Sequence, residues 1–410
     1  MLTCQAMHIE CTRVLLRSDI LLKNPSTIIA FCIYVIKDPE ARGPLIRSIS
    51  ISLESAPTGA NGIEPLCTAL RYTRNLRKLA ILPFNVLRFL PRIELIDVLY
   101  RLDTLEELEV HDAHLLHANV YRDMRCVLTH LILDWDWMTL WDVDLNVLRS
   151  WAPSLKVLHL TSMLPRQSWS PSFPSLQDLS IRISAPVPDI VALLHVCPAL
   201  RTLRFETTMA RPQDIERARQ HYVTMHAGHR WPNLDYVSAD LPGLYQVALQ
   251  QPVRRINLNL GALGGHTSAW LAAVLAIMQP THLQLQMQIL MSGQHAFLPE
   301  LLPAATYVKY LRLIFASGKG IGPGEITPIV RPLSITHLEI ETLLAGNLAF
   351  RPESYALSAA FAVPSLGFVS VATADRSQSF SILRSDVPGE ITVELSDSTS
   401  AQNRKDSAWG

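Results

Sequence analysis

The chain of 410 residues balances 36 Lys and Arg against 36 Asp and Glu, with 49% hydrophobic and 18% charged residues. That is too apolar for a disordered chain and too polar for a membrane bundle. It also lacks the basic excess that binding a phosphate backbone calls for. The length suits about two to three globular domains or one elongated array.

The first thirteen residues, MLTCQAMHIECTR, hold no long apolar stretch, so no signal peptide is expected. Val14–Leu22 is predicted as a capping strand. Ile28–Ile36 is about half the length that spans a bilayer and is predicted as a helix beneath the first strands. Residues 1–45 thus form an N-terminal cap.

From residue 46 onward one fragment recurs. Its clearest copies are APSLKVLHL (152–160), FPSLQDLSI (173–181), CPALRTLRF (197–205), WPNLDYVSA (231–239) and VPSLGFVSV (363–371). Copies without the proline include NLRKLAI (75–81), TLEELEV (104–110), VKYLRLI (308–314) and ITHLEIE (335–341); weaker ones begin at 46, 128, 253 and 280. Number each copy from its first apolar position, such as Leu155. The thirteen first positions run from 46 to 366, a mean period close to 27, which lies in the leucine-rich-repeat window. Slots one, four and six are apolar in 38 of 39 cases, Pro280 being the exception.

Alternation of slots four and six with three, five and seven is strand periodicity. Proline before slot one lacks an N–H and disfavours helix, so it ends the preceding segment and launches the strand. Helix-like stretches intervene at 62–74, 92–102, 140–151, 188–197, 212–227, 241–251, 268–279 and 352–362. Strand–helix–strand at short period gives parallel strands with right-handed crossovers. The predicted fold class is α/β: a right-handed leucine-rich-repeat solenoid of about thirteen irregular repeats over 46–395, with a parallel concave sheet and helices on the convex side. EITVELS (390–396) is predicted as the last edge strand, and the polar stretch 396–410 as a disordered tail.

The six cysteines include no CxxC, and no glycosylation sequon occurs, since Pro25 follows Asn24. Both point to an intracellular chain, cytoplasmic or nuclear. Catalytic patterns fail on spacing. The Gly-Lys pair at 318–319 lacks the P-loop glycine upstream, and the glycines at 261, 264 and 265 do not make GxGxxG. His111, His114 and His117 are read as solvated loop histidines, and His221, His226 and His229 do not form HExxH. Neither an enzyme activity nor a cofactor or metal is expected.

The Cys197-Pro-Ala-Leu200-x-x-Leu203-x-Phe205 copy resembles the cysteine-containing repeat subtype common in F-box proteins. The opening RVLLRSDILLKNPSTIIAFCIYVIKDPEARGPLIRSISISL is similar to the segment after the F-box in fungal F-box/leucine-rich-repeat proteins. The resemblance spans roughly 12–395 and implies the substrate-recognition part of a ubiquitin ligase. The F-box itself, which docks a Skp-type adaptor, would precede Arg13 and is missing, so adaptor docking is not expected of this chain. The alternative is a free-standing interaction scaffold with no ligase role.

Slots three, five and seven list the predicted solvent-facing sheet surface, and most of them are polar. Lys78 beside Arg77 makes a basic rung, and Glu107 and Glu109 beside Glu106 an acidic one. DWDWMTLWDVD (134–144) adds Asp134, Asp136, Trp137 and Trp141. Mixed charge next to desolvatable aromatics suits a protein partner rather than nucleic acid or membrane. The predicted partner face therefore comprises Lys78, Glu107, Glu109, Asp134, Asp136, Trp137 and Trp141.

Overall fold

A computed structural model of the chain describes residues 2–52, 64–82, 92–111, 113, 116, 118–134, 141–143, 145–161, 163–165, 171–182, 190–207, 211–225, 228, 230–262, 264–289, 302, 305–317, 322–342, 351–373, 377–385 and 391–396. The chain divides into two compact units, Met1–Ala185 with Ala192–Leu200, and Pro186–Val191 with Arg201–Gly410.

The first unit is built on a parallel sheet. Its strands are β1 (Asp19–Leu22), β2 (Ser48–Ile51), β3 (Lys78–Ile81), β4 (Glu107–Val110), β5 (His130–Asp134), β7 (Val157–Thr161) and β9 (Asp178–Arg182), adjacent in that order. A separate parallel pair, β6 (Trp141–Val143) and β8 (Met163–Pro165), stands outside that order. The second unit continues the scheme with β10 (Thr202–Glu206), β11 (Tyr236–Asp240), β12 (Arg255–Ala262), β13 (His282–Ile289), β14 (Tyr310–Ser317), β15 (His337–Thr342) and β16 (Phe368–Thr373), all parallel. β17 (Ser377–Arg384) and β18 (Ile391–Leu395) then turn antiparallel. Parallel strands joined one per repeat through helical connections are the leucine-rich-repeat solenoid architecture.

Burial follows the predicted register. Ile46, Leu76, Leu105, Leu128, Leu155, Leu176 and Leu200 in slot one are fully buried, and so are Leu79, Leu108, Leu131, Leu158, Leu179 and Leu203 in slot four. Strands β5, β7 and β11 alternate half-buried and buried residues throughout. Each buried Leu or Ile contributes about 1.5–3 kcal/mol.

Polar side chains bind consecutive rungs to one another. Just before slot one, Asn75 Nδ2 donates to the Pro44 carbonyl (2.7 Å), Thr104 Oγ1 to Leu76 (2.9 Å), Ser154 Oγ to Leu128 (2.7 Å) and Ser365 Oγ to Ile335 (2.8 Å). Each gives a carbonyl of the rung below a side-chain donor. A second device is the Thr-His pair at 129–130, 281–282 and 336–337. In each, the threonine hydroxyl lies 2.8–2.9 Å from Nδ1 of its histidine and 3.2–3.3 Å from a carbonyl of the preceding rung.

Several elements differ from the sequence expectation. Residues 14–17 are not strand: a helix runs Leu2–Arg17, closed by Ser18 N–H donating to the Val14 carbonyl, and pairing starts only at Asp19. The apolar run 14–16 fits either period, and only the strand partner decides it. The helix at Pro25–Lys37 forms as expected, capped reciprocally by Asn24 and Thr27. The 140–151 stretch holds strand β6 and a single 3-10 turn, Leu145–Leu148, instead of a helix. Strand β17 and the helix Pro323–Val330 were not foreseen. The expected tail lies outside the described residues from 397 onward.

Candidate protein-binding face

In the first unit, slots three, five and seven leave the sheet on the side away from the buried leucines. Lys78 and Glu107 occupy slot three of neighbouring rungs and are register partners. Their side chains pair at 3.4 Å, 43% and 41% exposed. Arg77 and Glu106 pair beside them at 3.2 Å. The basic and acidic rungs are thus bound to each other, and such exposed pairs contribute at most about 1 kcal/mol. A groove of about 400 Å³ opens at the starts of these strands, with Arg47, Asn75, Arg77, Asp103, Glu106 and Val127 on its walls.

At the strand ends the arrangement is tighter. His111 Nδ1 lies 3.1 Å from Asp134 and Nε2 3.0 Å from Glu109. Hydrogen bonds to Asp134 first and Glu109 second push the His111 pKa up to about 9, against partial burial. The imidazole is therefore a cation at neutral pH, held between two carboxylates, and not the solvated loop histidine expected from sequence. The signal was available: Val110 pairs with Leu133, so slot seven of that rung must meet slot seven of the next. Further along, His159 Nε2 sits 3.5 Å from Asp178 Oδ1.

Of the residues selected from sequence, Lys78, Glu107, Glu109 and Asp134 come together on this face as two linked groups. Asp136 and Trp137 lie outside the described residues, and of Trp141 only the backbone, in β6, is described. His114 and His117 are also outside. Sequence reasoning put His111, His159 and Asp178 in face slots but did not select them among the partner-binding residues.

The second unit adds a line of rings to its ion pairs. On its slot-three line His282 stacks on Tyr310 at 4.2 Å between centroids, Tyr310 on His337 at 4.6 Å, and His337 meets Phe368 at 5.8 Å. Arg204 and Arg255 approach the Tyr236 ring at 5.6 and 5.8 Å. Arg312 reaches Glu341 at 2.6 Å across the neighbouring rung.

Among the described residues no group of three or more His, Cys, Asp or Glu is disposed to hold a metal ion, and no helix is long and apolar enough to cross a membrane. Burial pushes the Cys126 and Cys197 thiols up to about 12, so they act as protonated packing groups.

No protein-family model matches the chain, and no curated protein matches it. Among solved structures, the leucine-rich repeat-containing protein LegL7 from Legionella pneumophila is similar over 85% of this chain and all of its own, at 12% identity and a TM-score of 0.39.

Proposed function

We propose that this protein is a non-catalytic protein-binding module that engages its partner through the sheet face formed by slots three, five and seven of the first unit. One observation carries the reading. Slots four and six are buried in every repeat strand from β2 to β5 and in β7 and β9, while the other face of the same strands keeps Lys78, Glu107, Glu109, His111 and Asp134 half-exposed. A sheet face that is charged, ordered by cross-rung pairs and open to solvent is suited to electrostatic complementarity with another protein. Nucleic acid and membrane are disfavoured as partners by the balanced charge.

A finer form of the reading makes the chain a substrate receptor of an F-box-type ubiquitin ligase. It rests on the resemblance of residues 13–53 and of the Cys197 repeat. A free-standing scaffold is the other form. Affinity capture from lysate, comparing the wild type with Glu107→Lys/Glu109→Lys, tests the common ground. A partner lost or weakened on charge reversal, and increasingly so at low salt, supports the face. A partner captured equally by both moves the site elsewhere. Recovery of a Skp-type adaptor in the same capture favours the ligase form over the scaffold.

A further inference from the structure

We propose that the protein forms a twofold dimer by pairing β18 of one copy with β18 of a second copy, edge to edge. Among the described residues, β18 is the terminal strand of the second unit's sheet and its far edge has no strand partner. Its hydrogen-bonding parity follows from its one neighbour: Ser396 N–H donates to the Ser379 carbonyl at 2.8 Å. Alternation then turns the backbone groups of Glu394 and Thr392 towards β17, and those of Ile391, Val393 and Leu395 towards the open edge. An edge of this kind is a ready template for another strand, and native proteins blunt it with proline, lysine or a bulge. The segment ITVEL has none of these. The first unit's own terminal strand, β1, has four residues beginning with Asp19 and is packed by the helix Leu2–Arg17.

The sequence of β18 is self-complementary in one antiparallel register. With the twofold axis at Val393, Ile391 faces Leu395 of the second copy and Thr392 faces its Glu394. The three outward residues of each strand then meet three outward residues of the other, so every open N–H finds a carbonyl. Ile391, Val393 and Leu395 share one face of the strand. That face continues the buried Phe380 and Ile382, which are register partners of Leu395 and Val393. Leu395 is nevertheless 66% exposed, and the helix Pro352–Ala362 that packs on β18 carries Phe361 at 59% and Leu357 at 40% exposure. A second copy in this register extends the apolar face across the axis. Moving the axis one residue, to Glu394, would set two carboxylates directly opposite each other, which destabilises a strand pair. The isologous pairing closes on itself, as a twofold interface must.

The register gives a charge test that leaves the fold alone, because the side chain of Thr392 is exposed. Sedimentation equilibrium of the full chain over a wide concentration range should show a monomer–dimer equilibrium. Thr392→Glu places a carboxylate opposite Glu394 of the second copy, twice per dimer, and should weaken it on the order of tenfold; Thr392→Lys should tighten it by a similar factor. Hydrogen exchange should slow at the amides of Ile391, Val393 and Leu395 as the dimer fills, and not at those of Thr392 and Glu394. A monomer at every concentration overturns the proposal. So does a dimer indifferent to both substitutions, or an open-ended polymer, which would mean a heterologous contact.

Discussion

The two units share one buried pattern and differ in what they place on the opposite face. In the first unit, strands of four or five residues carry cross-rung ion pairs, with Lys78 on Glu107 and His111 between Glu109 and Asp134. In the second, β12 to β14 run eight residues, and a line of rings from His282 to Phe368 stacks along slot three. Longer strands add a further buried layer at Leu260, Met287 and Phe315. His282 and Phe368 in the ring line are buried, whereas Lys78 and Glu107 stay 43% and 41% exposed. The same repeat therefore yields a face of paired charges in the first unit, and in the second a stacked ring line beside the Arg255–Asp235 and Arg312–Glu341 pairs.

The largest effects should be common to both units. Leu158→Ala in the first and Leu203→Ala in the second each remove a fully buried slot-four side chain, and each should cost about 2–5 kcal/mol. Chemical denaturation that left either one near zero would break the shared register. Phe315→Ala, in the added layer of the second unit, should cost about 3–5 kcal/mol.

Next comes the ring line. Tyr310→Ala deletes two stacking contacts, each contributing about 0.5–1.5 kcal/mol beyond area burial. The same denaturation should show a loss near 2 kcal/mol, roughly what the stacks account for. Lys78→Ala, by contrast, removes only an exposed pair and should cost under about 1 kcal/mol, vanishing at high salt.

His111 separates the units by pH. Its folded-state pKa lies above the ordinary value near 6.5, at about 9. The stabilisation it provides is therefore fully present below about pH 6.5 and fades as pH rises through about 9. Because the group is partly exposed, solvent screening reduces the effect to roughly 1 kcal/mol. Denaturation midpoints across that window should fall for the wild type and flatten for His111→Gln; equal slopes would remove the carboxylate–imidazole–carboxylate link from the account. The smallest effect is at Gln279, which caps the helix Thr267–Met278 in the left-handed region at φ 46°. Gln279→Gly should stabilise the second unit by a few tenths of a kcal/mol, the relief of strain being offset by backbone entropy.

The repeat period, the apolar slots and the side of each strand that faces the core were all legible in the sequence. Each is a local property: a strand has period two, and a leucine every rung must be buried somewhere. The candidate face was legible as a list but not as an arrangement. Lys78 and Glu107 read as opposed patches, yet the register makes them partners. His111 read as a loop residue until its rung was laid beside the one holding Asp134. The run 14–16 could be counted as strand or helix, and only the lack of a strand partner before Asp19 made it helix. Sequence alone decided that slots four and six are buried, because that burial is set by residue type and periodicity; the burial of Ser48, Ala80, His282, Ile314, Phe368 and Ser370, in slots read as solvent-facing, came from the tertiary structure. Tertiary structure decided which of the facing charges close into pairs, which rings stack and which edge is left open among the described residues, because those depend on side-chain geometry between rungs about 27 residues apart.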